Sequence, residues 1–280
     1  MPVNVSAWTG TEAIEAWLRE QSRRDDGALD LAQMALALAA LARPGADAAP
    51  YAAHLDALAD EAEAHSAPGM TAAEQVAALN AVLFDRGRYT GDRETYDDLA
   101  NADLMRVIDR KKGLPIALSI LYLHIARAIG WRAAGVNFPG HFLVQVGSGE
   151  DGLIVDPFAG GAPADLPALL KQTLGPEAAS GTVDLEFALN RDILLRLQNN
   201  IKIRCLKAGD VAGGLATVER MALVTPDNPA VWYEAATLNA EVGQLRRART
   251  CLEAVTRLDR ERRLAGQVEA LLQRLTARLN

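Results

Sequence analysis

A chain of 280 residues, half of them hydrophobic, is long enough to bury a sizeable core and to form two domains. Alanine and leucine dominate while aromatic residues make up only 5%, which favours helices over a sheet-rich fold. A formal net charge of -7 argues against nucleic acid as a partner, because phosphate binding needs a concentrated positive surface.

The first third reads as a run of helices. Thr11 to Glu20 places Ile14, Trp17 and Leu18 on one face, and Asp30 to Ala42 is an Ala/Leu segment that ends at Arg43-Pro44-Gly45. Tyr51 to Ala64 carries Leu55 and Leu58 at helical spacing. Thr71-Ala72-Ala73-Glu74 is a capping-box pattern, in which a hydroxyl and a carboxylate satisfy each other's backbone N–H, and it opens a helix expected to run through Phe84. Asp98 to Arg110 is expected as one further helix, with Gly113 placed to terminate it. The basic runs Arg110-Lys111-Lys112 and Arg260 to Arg263 read as solvated charges that complement helix C-termini. His54 and His65 stand alone on acidic helices, without a metal partner at useful spacing.

Pro115 opens the next helix at its first position, where its missing N–H would be unpaired anyway. The segment to Trp131 is apolar enough to resemble a membrane span, but His124, Arg127 and Arg132 interrupt or border it. A core helix enclosed by protein, with His124 a satisfied core histidine, is the better reading. Trp131 to Phe138 reads as a strand and Pro139-Gly140 as a turn. Phe142, Val144 and Val146 then alternate with period two, and Leu153-Ile154-Val155 returns antiparallel. If Phe142, Val144 and Val146 share the core face with Leu153 and Val155, the opposite face carries His141, Leu143, Ile154 and Asp156. A register slip of one residue would separate His141 from Asp156.

From about Asn190 the chain shows a weak 34-residue echo, with Gly209 and Gly243 at that separation. Asp210 to Leu223 and Arg246 to Leu258 read as second helices of helix-turn-helix units, Pro226 takes the repeat-ending position, and Leu264 to Leu279 reads as a capping helix. Two units and a cap seldom stand alone, so this part is expected to pack on the core. Cys205 and Cys251 fall on these helices without metal-ligand spacing and read as free buried thiols of a reducing compartment. Met1 to Ser6 lacks a basic region followed by an apolar run, so no signal peptide and a cytoplasmic location are expected.

Three segments carry a resemblance: Gly113-Leu114-Pro115-Ile116-Ala117-Leu118-Ser119, then Pro139-Gly140-His141-Phe142-Leu143-Val144, then Val155-Asp156-Pro157-Phe158. Their order is similar to that of transglutaminase-like and papain-like thiol enzymes. The whole chain resembles the bacterial transglutaminase-like, tetratricopeptide-repeat proteins of the SirB type, the invasion-regulator-like family. Asn80, Leu83, Phe84, Gly91, Asn101 and Tyr122 stand at that family's recurrent positions, while Ala117 departs from its usual Ser or Thr. The resemblance implies an α+β, mostly helical fold. Its parts are an N-terminal helical region (1–112), a transglutaminase-like core with a small antiparallel sheet (113–189) and tetratricopeptide-like helices (190–280).

In a working enzyme of that class a helix-terminal thiolate attacks an acyl carbon, a histidine shuttles the proton and an acid orients the imidazole. His141 and Asp156 match the second and third members, but Pro115 occupies the thiol position. The expected function is therefore a non-catalytic protein-interaction or regulatory module, with a protein partner on the helical repeats and no cofactor, metal, membrane or nucleic acid. The alternative is a hydrolase or acyl-transfer enzyme that uses His141 and Asp156 with water or Ser119. Ser119 lies one turn beyond Pro115, and its hydroxyl is expected to bond the carbonyl four residues back. Asn137 joins His141 and Asp156 as a candidate ligand-binding residue. Gly135 and Gly140 make no dinucleotide fingerprint, and no P-loop is present.

Overall fold

The computed structural model describes residues 3–175 and 185–279, so Met1, Pro2 and residues 176–184 of the expected core lie outside it. Two compact units are present. One comprises residues up to Trp17 together with Asp25–Ile193, and the other comprises Leu18–Arg24 together with residues from Leu194 onward.

Four helices open the chain: α1 (Thr11–Gln21), α2 (Leu31–Ala42), α3 (Ala49–Glu63) and α4 (Ala72–Asn80). Asp30 caps α2 by accepting the Gln33 N–H at 2.9 Å. Alanine and leucine on all sides let most of α2 bury. The capping box forms as expected: Thr71 N–H donates to Glu74 Oε2 at 2.7 Å and Glu74 N–H to Thr71 Oγ1 at 3.3 Å. The α-helix does not, however, run through Phe84. It ends at Asn80 and widens into a π-helical segment, Ala81–Arg86, closed by the Gly87 N–H on Val82 O at 2.9 Å. In this segment Phe84 stacks on Tyr122 with ring centroids 6.1 Å apart, and Asn80 Oδ1 accepts the Tyr122 hydroxyl at 3.0 Å.

The short strand β1 (Thr90–Gly91) precedes α5 (Leu104–Arg110). The single helix expected from Asp98 is broken because two aspartates compete for backbone N–H groups. Asp98 accepts from Ala100 at 2.8 Å and Asp103 from Arg106 at 3.0 Å, which leaves a 3-10 turn, Leu99–Asn101, ahead of α5. Nor does Gly113 terminate α5. Lys111, in the left-handed region at φ 56°, does so, and Gly113 sits in β2 (Lys112–Gly113), paired parallel with β1.

Helix α6 (Pro115–Ala128) takes Pro115 as its first residue and buries every side chain from Ile116 to Ala126. The strands β3 (Ala133–Phe138), β4 (His141–Val146), β5 (Leu153–Asp156) and β6 (Ala162–Pro163), the helix α7 (Leu166–Leu174) and β7 (Glu186–Ala188) follow. The antiparallel sheet has the order β6-β5-β4-β3-β7, with Val144 opposite Val155 and Phe138 opposite His141. Phe142, Val144, Val146 and Val155 are buried on one face, and α6 packs on β3 and β4. On the other face Val136, Phe138 and Leu143 join Leu170 of α7 in a second, smaller cluster.

The second unit contains most of α8 (Asn190–Lys207), then α9 (Val211–Val224), α10 (Pro229–Glu241), α11 (Leu245–Leu258) and α12 (Ala265–Leu279). Its core is built from Leu215, Val218, Met221, Ala235, Leu252, Val255 and Leu271 among others. The 34-residue echo has a structural cause: Gly209 and Gly243 both sit at φ 77° just beyond α8 and α10, a backbone state that favours glycine after a helix end. Trp232 Nε1 donates to Pro226 O at 2.8 Å and holds the turn between the units of the repeat. Cys205 and Cys251 are buried and free, as expected.

Candidate functional site

The residues ahead of Pro115 are held by backbone and side-chain bonds together. Thr90 N–H donates to Lys111 O at 2.9 Å, Asp92 N–H to Gly113 O at 3.2 Å, and Leu114 N–H to Asn101 O at 2.9 Å. Asp92, 1% exposed, accepts from Thr95 Oγ1 (2.6 Å), Thr95 N (2.8 Å), Glu94 N (3.1 Å) and Arg110 Nη2 (2.9 Å). Arg110 Nη1 reaches Asn101 Oδ1 at 3.1 Å, and Asn101 Nδ2 closes the network on Thr95 O at 2.6 Å. The Thr95 hydroxyl above all, with the Thr95 and Glu94 N–H groups and Asn101, holds the Asp92 carboxyl well below the usual carboxylate range against the cost of burial.

The basic run around Arg110 is therefore not a solvated helix end. Arg110 turns onto Asp92. Lys111 Nζ lies 3.0 Å from His54 Nε2 and 3.1 Å from Tyr89 Oη, above the Tyr89 ring at 4.3 Å. His54 is likewise not alone, since its Nε2 also lies 2.8 Å from Tyr89 Oη. His65 is not alone either, with Arg86 Nη1 2.7 Å from its Nε2 and Glu61 O 2.7 Å from its Nδ1.

A pH dependence follows from the Lys111–His54–Tyr89 triangle. With Lys111 donating, His54 is the neutral acceptor, and burial first, then the Lys111 charge, lowers its pKa from 6.5. A histidine depressed on folding contributes stability that is present above its unfolded pKa and lost as pH falls through the folded one. Buried His124, also lowered by burial, acts in the same sense. Urea midpoints are thus expected to fall from pH 7.5 to 5.5, and His54→Gln to flatten part of that fall. An unchanged profile in the variant would remove His54 from the account.

Pro115, His141 and Asp156 come to one end of the sheet. Strand β5 runs into a 3-10 turn, Pro157–Ala159, that packs on α6 and β1; a Cβ added to Gly91 would sit 2.5 Å from the Phe158 ring. Asn80 ties the same loop to α6, donating from Nδ2 to Gly161 O at 3.0 Å while accepting from Tyr122. Gly161 stands at φ 73° with Asn80 Oδ1 where a Cβ would lie, so a side chain has no room there. His141 starts β4 and Asp156 ends its antiparallel neighbour β5. Continued from Val144 opposite Val155, the register sets Leu143 across from Asp156, with His141 diagonal to it on the same face.

That shared face is the one that carries Leu143 and Phe138, away from α6. Asp156 Oδ1 accepts the Phe158 N–H at 2.8 Å and so caps the turn that follows it. Asn137 lies across from Phe142, which puts it on the opposite face from His141. Ser119 is 0% exposed inside α6, and its hydroxyl has no hydrogen-bond partner, so the expected bond to the carbonyl four residues back is not made. Pro115 itself is partly exposed, between buried Leu114 and buried Ile116. Asp92 and Arg110, which lock this region, were not singled out by sequence reasoning. The one local signal is the Asp92-Arg93-Glu94-Thr95 spacing of a side chain that caps its own loop. Among the described residues no three His, Cys, Asp or Glu side chains group as a metal site, and no helix is long and apolar enough to cross a membrane.

Comparison with known proteins gives the family of the chain. The family model of the transglutaminase-like superfamily matches residues 49–199, and that of the tetratricopeptide repeat matches residues 201–273. A UPF0162 protein of Xylella fastidiosa is 36% identical over 133 residues, 45% of this chain and 47% of that protein. Protein SirB1 of Salmonella typhimurium is 23% identical over 159 residues, 56% of this chain and 59% of that protein. F-box only protein 21 of Mus musculus is 40% identical over 81 residues, 29% of this chain and 13% of that protein. The chain spans about half the length of the bacterial relatives it matches. With the superfamily match covering more than half of its length, and a tetratricopeptide-repeat match following it, the chain belongs to the transglutaminase-like superfamily.

Proposed function

We propose that this chain is a non-catalytic transglutaminase-like protein acting as a protein-interaction or regulatory module, with its tetratricopeptide helices as docking surface for a protein partner. The observation that carries this reading is Pro115. It holds the first position of the buried helix α6, where unpaired backbone N–H groups would stabilise a thiolate, and proline supplies no sulfur. The residues behind it offer no substitute: Ile116, Ala117 and Leu118 are apolar, and the Ser119 hydroxyl is sealed in the helix interior. The Asp156 carboxylate is engaged as a cap on the Phe158 N–H, which suits a structural role. Free, buried Cys205 and Cys251 fit a reducing compartment such as the cytoplasm.

The test is turnover of p-nitrophenyl acetate and release of ammonia from a glutamine peptide by the natural protein. Neither is expected above the buffer rate, and His141→Ala should change nothing. Turnover that disappears in His141→Ala, with circular dichroism unchanged, would sink this reading and promote the hydrolase that uses His141 and Asp156.

A further inference from the structure

Helix α6 presents His124 and Arg127, one turn apart, to a cavity of about 440 Å³ whose other walls come from residues 26–32, 128 and 188–190. This volume lies in the range of small-molecule sites, about 300–1,000 Å³. The cavity is far from the Pro115 end of the same helix and independent of the function proposed above.

The polar groups that line it are only partly satisfied. Arg127 donates from Nε to Ala133 O at 3.0 Å and from Nη1 to Asn190 Oδ1 at 2.8 Å. Both partners are neutral, and its second amino nitrogen keeps its donors. Asp26 is already committed to the Asn190 N–H at 2.7 Å and the Arg191 N–H at 3.0 Å. Asp30 uses one carboxylate oxygen to cap α2 through the Gln33 N–H, which leaves the other to accept. His124, 7% exposed, lies with Nε2 3.2 Å from Leu55 O. A carbonyl only accepts, so Nε2 carries the proton and Nδ1 is a bare lone pair. Leu29, Leu31 and Leu189 supply an aliphatic wall.

The cavity thus holds a guanidinium whose hydrogen bonds go to neutral oxygens, two acceptors suited to an ammonium, and an apolar side. We propose that it binds a small aliphatic α-amino acid, with its carboxylate on Arg127, its ammonium on Asp30 and His124, and its side chain on the leucine wall. A simple anion fits less well because Asp26 and Asp30 share the lining, and a simple amine leaves Arg127 unanswered. Burial depresses the pKa of both His124 and Arg127, against the pull of Asp30 on His124 and of Asp26 first, then Asp30, on Arg127, which sets Asp30 within electrostatic reach of both.

The test is calorimetric titration of the full chain with L-alanine, L-valine and L-leucine, beside two half-analogues of leucine, 4-methylpentanoate and 3-methylbutylamine. At least one amino acid is expected to bind, with its half-analogues weaker by about tenfold or more, the loss expected for one charged hydrogen-bonding group. Arg127→Lys and Asp30→Asn should each weaken binding by about tenfold as well. Asp30→Asn keeps the oxygen that caps α2, so its result stands even if Arg127→Lys destabilises the fold. No heat from any of the three amino acids, half-analogues that bind as tightly as the zwitterion, or undiminished binding in Asp30→Asn would each overturn the proposal.

Discussion

Replacing Asp92 by Ala is expected to lower the stability of the first unit by about 3 kcal/mol, the cost of leaving buried hydrogen-bond donors unpaired around a partly exposed Arg110. Two backbone N–H groups, a threonine hydroxyl and Nη2 of Arg110 converge on this carboxylate; alanine removes the acceptor of all four, leaving Arg110 only Asn101 Oδ1 and Asp98. The loss reaches further than the loop. The Asn101 side chain is held between Arg110 and Thr95 O, and the backbone carbonyl of the same residue accepts the N–H of Leu114, immediately before the first position of α6. A melting temperature lowered by about 10 °C is the expected readout for a unit of this size. Asp92→Asn keeps an oxygen for the N–H donors but meets Arg110 with an amide, so it should cost about half as much. Equal stability of the natural protein and Asp92→Ala would show that Arg110 and Thr95 find other partners and that the network does not hold the helix start. Because the Asp92 carboxyl is depressed on folding, its contribution is present above the ordinary carboxylate pKa and is lost only in strong acid. This separates it from the histidine effect near neutral pH.

The parts of the fold legible in the sequence are those governed by local rules. Alternation in Phe142, Val144 and Val146 sets strand parity, and parity alone put His141 and Asp156 on one face, as the register has them. Pro115 at a helix start and the Thr71–Glu74 capping box are equally local, and both are found where expected. What stayed hidden depends on distance along the chain or on small energy differences. The π-helical segment after Asn80 shares its apolar spacing with an ordinary helix, and only the tertiary bonds of Asn80 and the stacking of Phe84 distinguish the two. Charges next to a helix end read as solvated, yet Arg110 has a buried partner at Asp92 and Lys111 has His54, on a different helix. The aspartates that split the expected helix from Asp98 to Arg110 were visible, but helical periodicity outweighed them in the reading. Of the candidate residues, the shared face of His141 and Asp156 was legible, whereas the placement of that face away from α6 and its Pro115 start, and the separation of Asn137 onto the other face, needed the strand pairing and the packing of the sheet.

Pro115→Cys is expected to create the most reactive thiol in the chain. The position is partly exposed, whereas Cys205 and Cys251 are buried with thiol pKa values pushed up by burial. It opens a 14-residue helix whose cap residue, Leu114, offers no side-chain acceptor, so the N–H groups of the first turn remain available to a sulfur anion. The thiol pKa should therefore fall below the free value of about 8.5. Alkylation by iodoacetamide at pH 7 should then run at least about tenfold faster at position 115 than at either natural cysteine. The substitution itself should cost little, about 0.4–1 kcal/mol, because proline at this position acts mainly by restricting the unfolded chain. The pH dependence of the alkylation rate gives the pKa directly. Adding His141→Ala to the variant then separates two sources of activation. A rise in the thiol pKa would mean that the imidazole reaches the helix start, and the lost sulfur alone would stand between this core and a working thiol site. An unchanged, depressed value would assign the activation to the helix end. A thiol pKa near 8.5 in the single variant would show that the first turn of α6 is not the anion-stabilising position the proposed function assumes.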